Sequence, residues 1–171
     1  DVDTGAAEYH LFENRHDHGL DWIRASASMP LVSQVVQIDG QKLLDGGISD
    51  SIPLEFFESI GYDRNVLILT QPKEYRKSQN RLIPLMRMIY RKYPALVDTM
   101  ARRHLDYNAC LDRIAELEDR GEILVIRPRE KLRVGKAEKD PEKLRAVYEL
   151  GREAGLEALD RVRTFLREEK P

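Results

Sequence analysis

Val35-Val36-Gln37-Ile38-Asp39-Gly40-Gln41-Lys42-Leu43-Leu44-Asp45-Gly46-Gly47 is the stretch that decides how this chain folds and where its chemistry sits. Apolar runs on either side of an Asp-Gly pair are the strongest short-range signal for a tight β-hairpin, because both central residues of the favoured turn need positive φ. The stretch therefore predicts strands over 35–38 and 42–44. Asp45-Gly46-Gly47 then ends the second strand, and two adjacent glycines allow backbone angles that other residues avoid. An aspartate at the end of a strand, followed by uncrowded glycines, suits a ligand-facing loop. It equally suits an Asp that closes a turn through its own backbone.

Working outward, a helix is expected from about 20 to 27, stopping before Pro30, with Asp17 or Asp21 near its start. Residues 7–12 read as a strand and 14–19 as a polar loop. Downstream, 53–60 reads as a short helix with Ser51 as N-cap candidate and Gly61 as its stop. Val66-Leu67-Ile68-Leu69 and Glu122-Ile123-Leu124-Val125-Ile126 are continuous apolar runs, the pattern of buried parallel strands. Helices are expected between them at about 81–92, 94–105 and 107–120, with Pro84 and Pro94 at early-turn positions. Asp140-Pro141 opens a last helix to about 168. Its stripe is Leu144, Val147, Ala154, Ala158, Val162 and Phe165, and Gly151 and Gly155 suggest close packing on a neighbour.

The 171 residues carry 28 Lys+Arg against 30 Asp+Glu, a formal net charge of −2, with 42% hydrophobic residues. Such a composition and length support one domain or one domain with a helical appendage. No run approaches the roughly 18 apolar residues of a membrane-spanning helix. One cysteine, Cys110, excludes an internal disulfide framework and any Cys-rich zinc module, and its helical spacing suits a small buried apolar filler. The net charge hides an asymmetry: residues 1–70 carry 4 basic and 12 acidic side chains, 71–105 carry 9 and 2, and 106–171 carry 15 and 16. The basic segment suits an anionic partner, phosphate head groups or nucleic acid, or a solvated helix face answering the acidic first third. Within it Arg81, Arg87, Arg91, Lys92, Arg102 and Arg103 thread an apolar series that includes Leu82, Leu85, Met88 and Ile89. Arg127, Arg129, Lys131, Arg133 and Lys136 form a second basic stretch, diluted by Glu130 and Glu138. His16-Asp17-His18, with His10 and Asp21 nearby, lacks the fixed downstream ligands of a zinc site and reads as a solvated loop.

Arg24-Ala25-Ser26-Ala27-Ser28-Met29-Pro30, then the hairpin, then Asp45-Gly46-Gly47-Ile48-Ser49-Asp50-Ser51-Ile52-Pro53 together resemble the second catalytic motif of the patatin-like phospholipases. In that family an Arg-Ala-Ser-x-x-x-Pro stretch precedes a hairpin and an Asp-Gly-Gly or Asp-Gly-Ala motif. The resemblance runs from about residue 1 to 72, and 80–165 is similar to the helical C-terminal region of one bacterial branch. It implies an α/β fold, part of a three-layer α/β/α sheet with a helical C-terminal subdomain. Residues 1–72 would be the C-terminal part of the catalytic domain and 73–171 a helical region with one added strand.

The resemblance also implies fatty-acyl ester hydrolysis, of phospholipid or lysophospholipid, by a Ser–Asp dyad without metal or cofactor. Asp45 would be the general base, with Gly46 and Gly47 shaping its turn. The family's Gly-x-Ser-x-Gly nucleophile motif and its Gly-rich oxyanion loop do not occur in these residues. Gly47-Ile48-Ser49-Asp50-Ser51 is Gly-x-Ser-x-Ser at a position variable in the family, and Ser26 and Ser28 suit a helix turn or packing. The chain also begins Asp1-Val2-Asp3. The expectation is a piece that starts mid-fold, with its nucleophile upstream and no esterase activity of its own. Expected partners are a lipid substrate and a peripheral membrane surface met through 81–103, with no nucleic acid. The location implied is cytoplasmic or membrane-peripheral, of bacterial type. The rival reading is a non-catalytic lipid- or nucleic-acid-binding module that uses 71–105.

Overall fold

Asp39 and Gly40 have φ of 49° and 82°, and this pair of left-handed residues turns β1 (Val36–Ile38) back onto β2 (Gln41–Leu43). The register is antiparallel, with Val36 opposite Leu43 and Ile38 opposite Gln41. The structure is a computed structural model that describes residues 1–12, 19–135 and 138–167. Chain contacts divide it into two units, residues 1–53 with 76–110, and residues 54–75 with 111–171.

In the first unit, α1 (Gly19–Ser26) lies against β1. Ala25 packs with Val36, Ile38 and Leu43, and Trp22 covers that cluster from the side. A second cluster gathers Val2, Leu44, Ile48, Ile83, Met86, Leu96, Val97 and Met100. Each such side chain, fully buried, contributes about 1.5–3 kcal/mol relative to exposure. Ile83 and Met86 come from α2, a helix over Ile83–Ile89 that carries Pro84 in its first turn. Leu96, Val97 and Met100 come from α3, Pro94–Asp119. Gly5, with φ of 72°, passes so close to α3 that a Cβ there would lie 2.5 Å from Thr99 Oγ1 and 2.7 Å from the Ala95 carbonyl oxygen. The Thr99 hydroxyl donates to the Gly5 carbonyl at 3.0 Å.

The second unit holds the parallel pair, β3 (Asn65–Ile68) and β4 (Ile123–Ile126), in register from Asn65 opposite Ile123 to Ile68 opposite Ile126. Ile123, Leu124 and Val125 are all buried, as a continuous apolar run requires. A short helix, α4 (Leu54–Ser59), ends at Gly61, whose φ of 96° lets the Tyr62 N–H reach back to the Phe57 carbonyl at 3.0 Å. The last helix, α5 (Pro141–Arg167), packs on β4 and buries Ala158. Asp140 caps it, its Oδ1 accepting the Glu142 N–H at 3.0 Å. Among the described residues the four strands form two two-stranded sheets, an α/β arrangement with five helices.

Several expectations change. Residues 7–12 are irregular chain, because no described strand offers them a ladder partner. The helices expected at 94–105 and 107–120 are one helix of 26 residues, since no glycine or proline interrupts the hydrogen-bond series. Ser51 does not cap α4; its hydroxyl donates to the Gly47 carbonyl at 2.6 Å instead. Gly151 and Gly155 pack closely on nothing, a Cβ at either meeting open space. Cys110 is only partly buried, with its Sγ 3.8 Å from the Ile52 carbonyl. The loop expected at 14–19 falls largely outside the described residues, as do His16, Asp17, His18 and Lys136.

Candidate active site

The position of Asp45 is set by a backbone tie to Ser28. Its N–H donates to the Ser28 carbonyl at 2.8 Å, and Ser28 is in turn anchored to the end of α1: its hydroxyl donates to Arg24 O at 2.8 Å and its N–H to Ala25 O at 3.0 Å. Ser28 is buried, and so is Ala25. The Arg24–Pro30 stretch thus acts through packing: Ala25 fills the hairpin core and Ser28 docks the strand end onto the helix end.

Beyond Asp45 the chain makes a single 3-10 turn over Gly46–Ile48. Asp45 Oδ1 accepts the Gly47 N–H at 2.8 Å and so caps that turn. Neither Gly46 nor Gly47 has positive φ. The expected need for unusual backbone angles is therefore corrected, and the reason for glycine at 47 is space. A Cβ on Gly47 would lie 3.1 Å from Asp45 Oδ1, 3.5 Å from Arg103 Nη2 and 3.8 Å from Ser51 Oγ. Around Gly46 nothing lies within 4 Å, so that side of the turn is open. Asp45 Oδ2 has no hydrogen-bond partner among the described residues, and no serine hydroxyl bonds to the carboxylate.

Asp45 lines a cavity of about 70 Å³ with Trp22, Ser26, Gly46, Ser49 and Leu96. That is room for a couple of waters, well short of the roughly 300 Å³ where small-molecule pockets begin. The space suits water or a hydroxyl group, not an acyl chain. Ser26 and Ser49 line this cavity, Ser28 is buried in the core, and Ser51 donates to the Gly47 carbonyl.

Three features here escape a reading of sequence alone. Trp22, stacked on His10 at 4.3 Å between ring centroids, holds its Nε1 buried with no partner. The Tyr9 hydroxyl donates to Asp50 Oδ2, and Asp50 Oδ1 accepts the Ile52 N–H at 3.2 Å, which closes the turn that follows Ile48. Arg103 reaches from α3 to the Ser51 hydroxyl at 3.5 Å, and its Nε is buried without a partner. Each joins residues far apart in the chain, and only the three-residue spacing of Trp22 and Ala25 on one helix hinted at any of them.

Other sequence candidates fall away from this turn. His10 is occupied with Trp22 and Phe12 as an aromatic partner, and Asp21 pairs with Arg24 at 3.0 Å. In the second unit, Arg127 pairs with Glu118 and Arg129 with Glu157, the latter at 2.8 Å. Among the described residues no group of three His, Cys, Asp or Glu side chains is arranged to hold a metal ion. No helix among them is long and apolar enough to cross a membrane.

Residues 7–57 match the patatin-like phospholipase family. The matched segment runs from before α1 through the hairpin and Asp45 into α4, and the family is one of lipid acyl hydrolases. Residues 93–167 match a domain of unknown function (DUF6363), a segment that spans α3, β4 and α5. No curated protein matches the chain.

Proposed function

We propose that Asp45 is the general base of a Ser–Asp dyad in a patatin-like hydrolase of fatty-acyl esters, phospholipid or lysophospholipid, whose nucleophile and oxyanion loop lie outside these 171 residues. The observation that carries the reading is the state of the carboxylate. One oxygen is oriented by the Gly47 N–H and the other has no hydrogen-bond partner among the described residues, while Asp45 lines a small cavity inside the segment that matches the family. In the reaction the free oxygen takes the proton of the serine hydroxyl as that oxygen attacks the ester carbonyl. The leaving alcohol departs with the proton and an acyl-enzyme remains. The same carboxylate then activates water, which releases the fatty acid. The 171 residues alone have no nucleophile and are inactive on this reading.

The same reading makes β3–β4 part of a larger three-layer α/β/α sheet, and the 76% exposure of Ile68 on β3 suits a further layer covering that face. Asp45 as a plain turn residue has an observation of its own, the Gly47 cap. Asp45→Asn separates the two roles, because an asparagine oxygen still accepts from the Gly47 N–H but cannot take a proton. In the polypeptide that includes the upstream Gly-x-Ser-x-Gly, this substitution should lower hydrolysis of a p-nitrophenyl ester by roughly 10²–10⁴-fold with an unchanged melting temperature. Ester turnover by the 171-residue chain that Asp45→Asn leaves intact would sink the proposal.

A further inference from the structure

The helix α2 faces two ways. Ile83 and Met86 are buried in the cluster that also holds Leu44 and Ile48, the residues on either side of the Asp45 turn. On the other side Leu82, Leu85, Met88 and Ile89 are 50%, 41%, 68% and 52% exposed. Leu82 is the N-cap of α2, and at about 100° per residue Leu85, Met88 and Ile89 occupy one arc of roughly 100°. An unbroken aliphatic patch of this kind, on a short helix, is costly in water and marks a contact surface.

Charge along this segment has one sign. Arg81, Arg87, Arg91 and Lys92 are all exposed, and none forms an ion pair with a described residue. No acidic residue occurs between Glu74 and Asp98. The last turn of α2 is also tied to the motif block, since the Tyr90 hydroxyl accepts the Leu31 N–H at 2.9 Å while Leu31 holds a φ of 67°. The patch therefore belongs to the same packed unit as Asp45.

We propose that α2 and its flanks are an interfacial docking face for an anionic phospholipid surface. Leu82, Leu85, Met88 and Ile89 enter the boundary between head groups and acyl chains, and the four cations pair with lipid phosphates. Two other occupants fit less well. A nucleic acid supplies the phosphates but no apolar phase for four aliphatic side chains. A second copy of the chain docked through this face would set its cations against the same cations.

The test is co-flotation of the 171-residue chain with vesicles of phosphatidylcholine alone, or of phosphatidylcholine with about 30% phosphatidylglycerol. Binding should be confined to the anionic vesicles and should be lost in 0.5 M salt, because screening removes the attraction. Arg87→Glu with Arg91→Glu should weaken it by at least roughly thirtyfold, and Met88→Asp with Ile89→Asp by a similar factor. These positions are exposed, so both variants should keep the wild-type melting temperature. A Leu85→Trp variant, whose emission should shift to the blue on anionic vesicles, reads insertion directly. Equal binding to both vesicle types, no binding to either, or unchanged emission from Leu85→Trp would overturn the proposal. So would a dimer that Met88→Asp with Ile89→Asp dissolves, or tighter binding to an RNA oligonucleotide than to anionic vesicles. None of these readouts requires ester hydrolysis, so failure here leaves the role of Asp45 standing, and failure of Asp45 leaves this face standing.

Discussion

The hairpin β1–β2 and the parallel pair β3–β4 are both two strands wide, and they are held by opposite means. The hairpin closes through two adjacent residues, Asp39 and Gly40, so its register is specified by the turn. It buries alternate residues, Val36 and Ile38, with Gln37 exposed between them. The parallel pair has no local turn. Its strands come from distant parts of the chain, and loop closure opposes their meeting until packing offsets it. That packing is visible as three consecutive buried residues on β4 and the docking of α5. A turn can hold a side chain in place with few contacts; a parallel pair needs the rest of its unit around it.

The comparison can be broken first on the nonlocal side. Ile123→Ala empties a position only 4% exposed and should lower stability by about 2–5 kcal/mol. Urea denaturation would show it as a lower midpoint; a change under about 1 kcal/mol would mean that the pair does not depend on its core. On the local side, Gly40→Val places a β-branched residue at a φ of 82° and should cost about 1–3 kcal/mol. The same titration checks it, and a neutral result would mean that register is set by packing rather than by the turn. Gly151→Ala on α5 should stabilise by about 0.5–1 kcal/mol, since its Cβ meets open space and the helix gains propensity. Loss of stability there would restore the close packing that the structure does not show.

The smallest effect concerns the chain leading into α5. The Glu138 carboxyl accepts the Asp140 N–H at 3.1 Å and the Lys139 N–H at 3.0 Å, and these bonds hold its pKa below the ordinary 4.5. A depressed folded-state pKa gives a stabilising contribution that is present above the unfolded value and fades as pH falls through the folded one. Glu138→Gln should therefore lower the melting temperature slightly near neutrality and match wild type in acid. A gap that widens in acid would contradict the assignment.

Much of this architecture was legible in the residues. Asp39-Gly40 encodes its turn locally, the continuous apolar runs at 66–69 and 122–126 mark a parallel strand pair, although β3 buries only Leu67 and leaves Ile68 exposed, and Asp140-Pro141 marks a helix start. The motif around Asp45 was legible by resemblance. The failures share a cause. Residues 7–12 have the composition of a strand but no partner, and Ser51 has the composition of a cap but donates back to Gly47. Gly46-Gly47 looked like a conformational device, whereas Gly47 is there because a carboxylate oxygen lies 3.1 Å from where its Cβ would be.

The sequence by itself determined where the chain turns, where it is apolar, and that an aspartate ends the second strand of a hairpin, since each depends on neighbours within a few residues. Only the tertiary structure decided that one carboxylate oxygen accepts from Gly47 and the other has no hydrogen-bond partner among the described residues. It also decided that Ser28 ties the strand end to α1, and that α2 turns Ile83 and Met86 inward and Leu85, Met88 and Ile89 out. Those choices join residues tens of positions apart, and the free energy that selects among them is burial and hydrogen bonding between segments, which no local pattern records.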